Sequence, residues 1–309
     1  MSGTAEILVV GSVALDSVRT PYGEAVEALG GSAAYFSLSA AQFAPVRVVA
    51  VVGEDFPAEH RELLAGRGVD LSGLETAPGR TFRWRGEYGP ELAHAHTLET
   101  QLNVFSTFHP RLEAQHRACP YVFLANIDPE LQLEVLQQME RPALTLSDTM
   151  NYWIARKPDL VLEVLRRVDV ALLNEEEARA LAGESLLVRA ADRLLEQGAR
   201  SVIIKKGEHG ALYRGAGERF ITPAFPVDSI RDPTGAGDSF AGGFLGWVAR
   251  CGRADGGMLP QAMACGTTMA SLAIEDFSPR ALAEAGREEI ARRVALLHGM
   301  VHFDIEPLF

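Results

Sequence analysis

The chain has 309 residues, 47% hydrophobic and 23% charged, a balance that fits a folded enzyme and excludes a disordered chain. Its net charge of −12 excludes a broad nucleic-acid-binding surface, and no apolar run reaches the ~18 residues of a membrane-spanning helix. Three cysteines without a CxxC pair (Cys119, Cys251, Cys265) fit reduced thiols in a cytoplasmic protein, and Met1 to Glu6 lack the basic start and apolar core of a signal peptide.

Ile7-Leu8-Val9-Val10 reads as a buried strand ending at Gly11-Ser12. Alanine and serine with apolar spacing over 33–43 predict a helix packed closely on a sheet, then a strand over 46–53 and a helix over 55–66. Further apolar strands are predicted at 121–125, 143–148, 168–174 and 201–205. Helices fall at 131–139, 158–167, 176–182 and 190–198, and the last third is helical over 240–250, 261–274 and 279–298. Continuous apolar strands alternating with helices specify a mostly parallel sheet covered on both faces, a three-layer α/β/α sandwich. Two stretches break the pattern. Residues 14–28 and 81–105 alternate as strands with one wet face do, which predicts a small β-sheet lid on one domain spanning 1–309.

The segment Asp232-Pro233-Thr234-Gly235-Ala236-Gly237-Asp238 precedes an apolar run with helical spacing. Small residues at a helix start let a ligand approach unpaired N–H groups, and the helix dipole favours an anion there. Asp238 would stand at the mouth of that anion site as a proton acceptor for an attacking hydroxyl, or serve as an N-cap. The segment closely resembles the C-terminal signature of the PfkB (ribokinase-like) family of carbohydrate and nucleoside kinases, with Pro233 where threonine is common. The resemblance implies a ribokinase-like fold with a lid, Asp238 as catalytic base, and Gly235, Ala236 and Gly237 as the anion hole. It also places Asp232 and Thr234 at the head of the nucleotide loop and leaves room for a monovalent cation such as K⁺ beside Asp232.

Two further constellations strengthen it. Gly30-Gly31 before a helix, Asp16 after the first strand and Gly53-Glu54-Asp55 match the N-terminal half of the family pattern. The resemblance assigns Asp16, Gly30 and Gly31 to the acceptor. Tyr35 replaces a common asparagine, so its ring either stacks on a sugar or base or packs in the core. Asn126 either touches the acceptor or is a turn residue before Asp128-Pro129. At the other end, Asn174-Glu175-Glu176-Glu177 is either an N-cap with acids in the first helical turn or the family's Asn-x-x-Glu motif. In the second reading Asn174 and Glu177 organise water around Mg²⁺. The resemblance further assigns Lys206, Gly207, Gly210 and Gly266 to the nucleotide, although the two lysines at 205 and 206 also read as a solvated strand end.

The implied activity is transfer of the γ-phosphoryl of ATP, with Mg²⁺, to a hydroxyl of a small sugar. A nucleoside kinase of the same fold is the alternative, with the aromatics Phe82, Trp84 and Tyr88 against the base. A non-catalytic sugar- or nucleotide-binding protein is a third reading. An exposed lid edge also suggests a homodimer through the lid. Neither a nucleic acid nor a membrane is expected as a partner.

Overall fold

The computed structural model describes residues 5–92, 94–215, 217–252 and 257–302, so the ends of the expected 1–309 unit and position 93 of the expected lid lie outside the described residues. Strand β1 (Ile7–Val10) leads to the hairpin β2 (Ala14–Thr20) and β3 (Gly23–Gly30), then α1 (Ser32–Ala40), β4 (Val46–Gly53), α2 (Ala58–Gly66) and β5 (Val69–Ala77). After β6 (Arg83–Tyr88) and β7 (Ala95–Gln101) come α3 (Ala114–Arg117), β8 (Tyr121–Leu124), α4 (Pro129–Gln138) and β9 (Leu144–Ser147). Next are α5 (Asn151–Arg156), α6 (Pro158–Arg167), β10 (Val170–Asn174), α7 (Glu175–Ala182), α8 (Leu187–Glu196) and β11 (Ser201–Lys205). The strands β12 (Ala211–Gly215) and β13 (Arg219–Thr222) precede α9 (Ala236–Cys251), α10 (Leu259–Ala273), α11 (Arg280–Glu284) and α12 (Arg287–Val301).

Nine strands form one sheet in the order β13-β12-β11-β10-β9-β8-β1-β4-β5. From β11 to β5 neighbouring strands run parallel, and β12 and β13 add an antiparallel edge. Period-two side chains feed two cores. Ile7, Val9, Val48, Ala50 and Phe123 point toward α1, α9 and α10, whereas Leu8, Val10, Val49, Val51 and Val122 point toward α4, α6, α7 and α8. Both faces are therefore dry, as the unbroken apolar runs require. After β1 the chain builds β4 and β5 on one side and β8 to β11 on the other, which opens a crevice at the carboxyl ends of the strands.

Four strands form the lid, in the order β3-β2-β6-β7. The β2–β3 and β6–β7 pairs are antiparallel, and β2 and β6 run parallel. Three expectations need correction. The alternation over 97–105 overshoots, because the strand stops at Gln101 and a 3₁₀ turn covers Asn103–Thr107. There Asn103 adopts φ +48° and donates its side-chain amide to the Thr81 carbonyl at 2.8 Å. Strand β7 is also wet on both faces, since it is the outer strand of the lid, paired on one side with β6. The predicted helix over 279–298 is two helices, broken where Ala285 turns extended before Gly286. Strand β5 escaped the sequence pattern because its polar residues face solvent at the sheet edge. Among the described residues no helix is long and apolar enough to cross a membrane.

Candidate active site

Gly235 heads α9 at φ +74°, a left-handed conformation that glycine adopts without steric cost. A Cβ there would also fall on the ring of Tyr35. Helix α9 starts without any side-chain cap, and its first amide, that of Ala236, donates to the Pro233 carbonyl at 3.3 Å, a long turn bond that an arriving anion would replace. Asp238 is the third residue of that helix rather than its cap, and the chain is turned by Ser239, whose N–H and hydroxyl both donate to the Gly235 carbonyl. Burial, with Asp148 and Asp16 adding and Lys205 opposing, pushes the Asp238 carboxyl up to about 8.

Asp16 faces this helix from the lid strand β2. It is buried, and its Oδ2 accepts the Gly31 N–H at 3.2 Å. Gly30 leaves no room for a side chain against the same carboxyl. Gly31, at φ +89°, lies on the Ser12 carbonyl, and the Ser12 and Ser32 hydroxyls lock the end of β1 to the start of α1. Burial pushes Asp16 up to about 7, against the pull of the Gly31 hydrogen bond. Asn126, past the end of β8, has a buried Oδ1 with no hydrogen-bond partner among the described residues, an acceptor suited to a ligand hydroxyl, while Asp128 is the residue that caps α4.

Tyr35 resolves toward packing. It is 2% exposed and its ring supports Gly235 from beneath, so it offers no face to a sugar or base. Burial, with Asp232 and Asp16 adding, holds its hydroxyl neutral well above the usual phenol range. A half-buried aromatic stands on the lid, its indole N–H donating to the Thr97 hydroxyl at 3.2 Å. Trp84 pairs in parallel register with Asp16 and so shares its inward face, and its ring lies along the sheet over Gly86. Two residues further, the Tyr88 hydroxyl meets the Thr234 hydroxyl at 3.2 Å.

Where β10 passes into α7, Asn174 and Glu177 form a reciprocal capping box. Asn174 Oδ1 accepts the Glu177 N–H at 2.9 Å, and Glu177 Oε2 accepts the Asn174 N–H at 2.8 Å. Glu177 is buried and pushed up to about 7 by desolvation, with Asp148 adding and Lys205 opposing. Among the described residues no three His, Cys, Asp or Glu side chains converge to cage a metal. This donor set fits Mg²⁺ carried by phosphates and water.

Lys206 does not reach the site; its ammonium turns to the His209 carbonyl at 3.5 Å. Its neighbour Lys205 turns instead toward α9 and is bonded to Asp148 Oδ2 at 2.6 Å. The two differ because strand residues alternate, and Lys205 shares the face of Ile203, toward α9. Extending that alternation one step past the apolar run would have found it. Gly207 opens onto free space, whereas Gly210, at φ +80°, presses on the Thr222 carbonyl. Asp232 is buried and shapes the loop by accepting the Thr234 and Ser278 N–H groups. Gly266 is turned into the α9–α10 seam, where a Cβ would lie 2.8 Å from the Phe240 carbonyl, so close packing and not the nucleotide accounts for it.

A family model described as pfkB family carbohydrate kinase matches residues 4–285. A cytidine kinase from Thermococcus kodakarensis is 33% identical over 252 residues, covering 79% of this chain and 89% of its own. A fructoselysine 6-kinase from Shigella flexneri is 27% identical over 231 residues, covering 72% and 79%. The solved nucleoside kinase of Methanocaldococcus jannaschii, an archaeal ribokinase-family member, superposes with a TM-score of 0.75 at 18% identity, covering 96% of this chain and all of its own.

Proposed function

The chain belongs to the pfkB family of carbohydrate kinases, and from that premise we propose that it phosphorylates a hydroxyl of a small nucleoside at the expense of ATP. The observation that carries this reading is the position of Asp238. It lies inside the first turn of α9, at a helix start that no side chain caps, with Asp16 facing it across the crevice. Asp238 accepts the proton of the acceptor hydroxyl as its oxygen bonds to the γ-phosphorus and the bond to the ADP oxygen breaks. The N–H groups of Gly235, Ala236 and Gly237 hold the charge that spreads over the transferring group. Magnesium bound to the phosphates, through water held by Asn174 and Glu177, would supply further positive charge. Asp16 and Asn126 hold acceptor hydroxyls, and the lid excludes water. A general base works best when its pKa lies near the working pH, which suits a carboxyl raised to about 8.

A nucleoside is favoured over a plain sugar because Trp84 offers a flat ring on the same inner face as Asp16. The similarity to a cytidine kinase supports the same choice. A plain sugar is the second reading, supported by the similarity to a fructoselysine 6-kinase. Turnover of ATP and Mg²⁺ against cytidine, uridine, adenosine, ribose and fructose decides between them. Acceptor-dependent ADP release with a nucleoside, weakened in W84A, supports the first; release with free sugars alone overturns it. The exposed outer edge of β7 further supports pairing with a second copy through the lid, and sedimentation as a monomer at micromolar concentration contradicts that.

A further inference from the structure

Lys205 is the charged side chain that the proposed chemistry leaves unused. It ends β11, on the edge where the parallel strands open to the crevice. Its side chain is 18% exposed and that of its partner Asp148 is 7% exposed. Asp148 is itself held rigidly. Its Oδ1 accepts the Thr149 N–H at 2.9 Å, and the Gln132 amide ties its carbonyl to those of Leu124 and Ala125. The ammonium also lies against the first turn of α9, where a Cβ on Gly237 would stand 2.8 Å from Nζ. A side chain at 237 would push the ammonium away from the helix start. The charged groups that face Lys205 are Asp148 from the end of β9, Glu177 from α7 and Asp238 from α9. One cation among three carboxyls, beside an uncapped helix start, is a poor stabilising pair. Burial raises the Glu177 and Asp238 carboxyls toward their neutral forms, so the ammonium and the dipole of the helix start set the sign that an arriving anion meets.

We propose that Lys205 is a phosphate-binding residue of the transfer site, tethered by Asp148 against Gly237 so that its ammonium contacts the γ-phosphoryl oxygens of bound nucleotide. The inference rests on the kinase reading. A lysine acts on phosphate as a compact point charge, and its four-carbon stem lets it shift from the Asp148 carboxylate to an arriving phosphoryl without moving the backbone. With the phosphate in place, the ammonium adjoins both the transferring group and Asp238, and so also favours the ionised base.

The test is calorimetric binding of Mg²⁺-AMP-PNP and Mg²⁺-ADP to wild type, K205M, K205R and the double variant K205M/D148N. The proposal expects K205M to weaken AMP-PNP by about tenfold or more, the range of a lost charge-assisted hydrogen bond, and ADP by much less. K205R should recover part of the loss. K205M leaves Asp148 buried without its partner, so its thermal midpoint is expected to fall. The double variant should regain stability but not AMP-PNP binding. Equal weakening of both nucleotides, or recovery of AMP-PNP binding in the double variant, would reduce Lys205 to a structural ion pair and overturn the proposal. A wild-type protein that binds neither nucleotide would overturn the kinase reading and this inference together.

Discussion

The hydroxyl of Tyr88, on the inner face of the lid, stands 3.2 Å from the hydroxyl of Thr234, two residues before the start of α9. A second bond runs beside it, from the Thr20 hydroxyl to the Arg231 carbonyl at 2.8 Å. The lid that carries Asp16 is thus fastened to the loop that carries the proposed anion hole. Acceptor binding and phosphate binding then share one mechanical element, and water exclusion depends on it.

Removing the Tyr88 hydroxyl should loosen that fastening without emptying the site. Y88F is expected to raise the KM for the acceptor several-fold and to raise ATP hydrolysis in the absence of acceptor. A coupled assay for ADP, run with and without acceptor, checks both. Unchanged values for both would mean that the contact plays no part in closure.

The buried carboxyls give stability and activity opposite pH trends. Asp16 and Glu177 are pushed up to about 7 and Asp238 to about 8, chiefly by burial. Unfolded, each loses its proton near pH 4. Between about pH 4 and 8 the folded chain therefore holds more protons than the unfolded chain, and the stability of the ligand-free protein falls as pH rises. Over the upper part of the same window kcat/KM for the acceptor should rise, as Asp238 ionises. Thermal midpoints from pH 5 to 8.5 should drop for wild type and drop less for D238N. A midpoint that climbs with pH would contradict the assignment of these carboxyls as costly when charged.

Gly235 is constrained twice, by φ +74° and by the Tyr35 ring. Gly68 is constrained once, at φ +80° with open space around its Cβ position. Gly68→Ala should cost about 1–2 kcal/mol of stability, the ordinary left-handed penalty, and leave activity intact. Gly235→Ala adds a clash with a buried ring at the head of α9, and turnover should fall by tenfold or more. Denaturant melts and steady-state rates of the two variants separate these effects. Equal rates would show that the ring does not fix the loop.

The capping box predicts a smaller effect. Asn174→Ala removes the acceptor for the Glu177 N–H and should cost about 1 kcal/mol in stability. If Asn174 and Glu177 also hold metal-bound water, the variant should need more Mg²⁺ for half-maximal rate. A stability loss with an unchanged Mg²⁺ requirement would leave only the cap.

The parallel sheet was legible because its strands are buried on both faces and therefore unbroken in their apolar character. The turn from Asp232 to Gly235 and the helix after it were legible for a local reason, since small residues followed by an apolar run of helical spacing mark a helix start. What the sequence left open depends on partners distant in the chain. Tyr35 lies under Gly235, 200 residues away, and nothing in its own helix marks the ring as a support rather than a platform. Gly266 answers to Phe240 on a neighbouring helix, a packing relation that the motif alone does not reveal. Lys205 and Lys206 are adjacent and chemically identical, and only strand parity, carried past the last isoleucine, separates them. The lid strand β7 alternates without burying either face, because alternation reports a pleat and not what covers it.

The most direct test of the account compares ADP formation by wild type and D238N, with Mg²⁺, saturating ATP and the best acceptor from the panel. Wild type should release ADP only when acceptor is present. D238N, still folded and still binding ATP, should be slower by roughly 10²–10⁴-fold, the range for a lost general base. A D238N protein that turns over at the wild-type rate would contradict the central claim, because Asp238 would then not be the group that takes the proton.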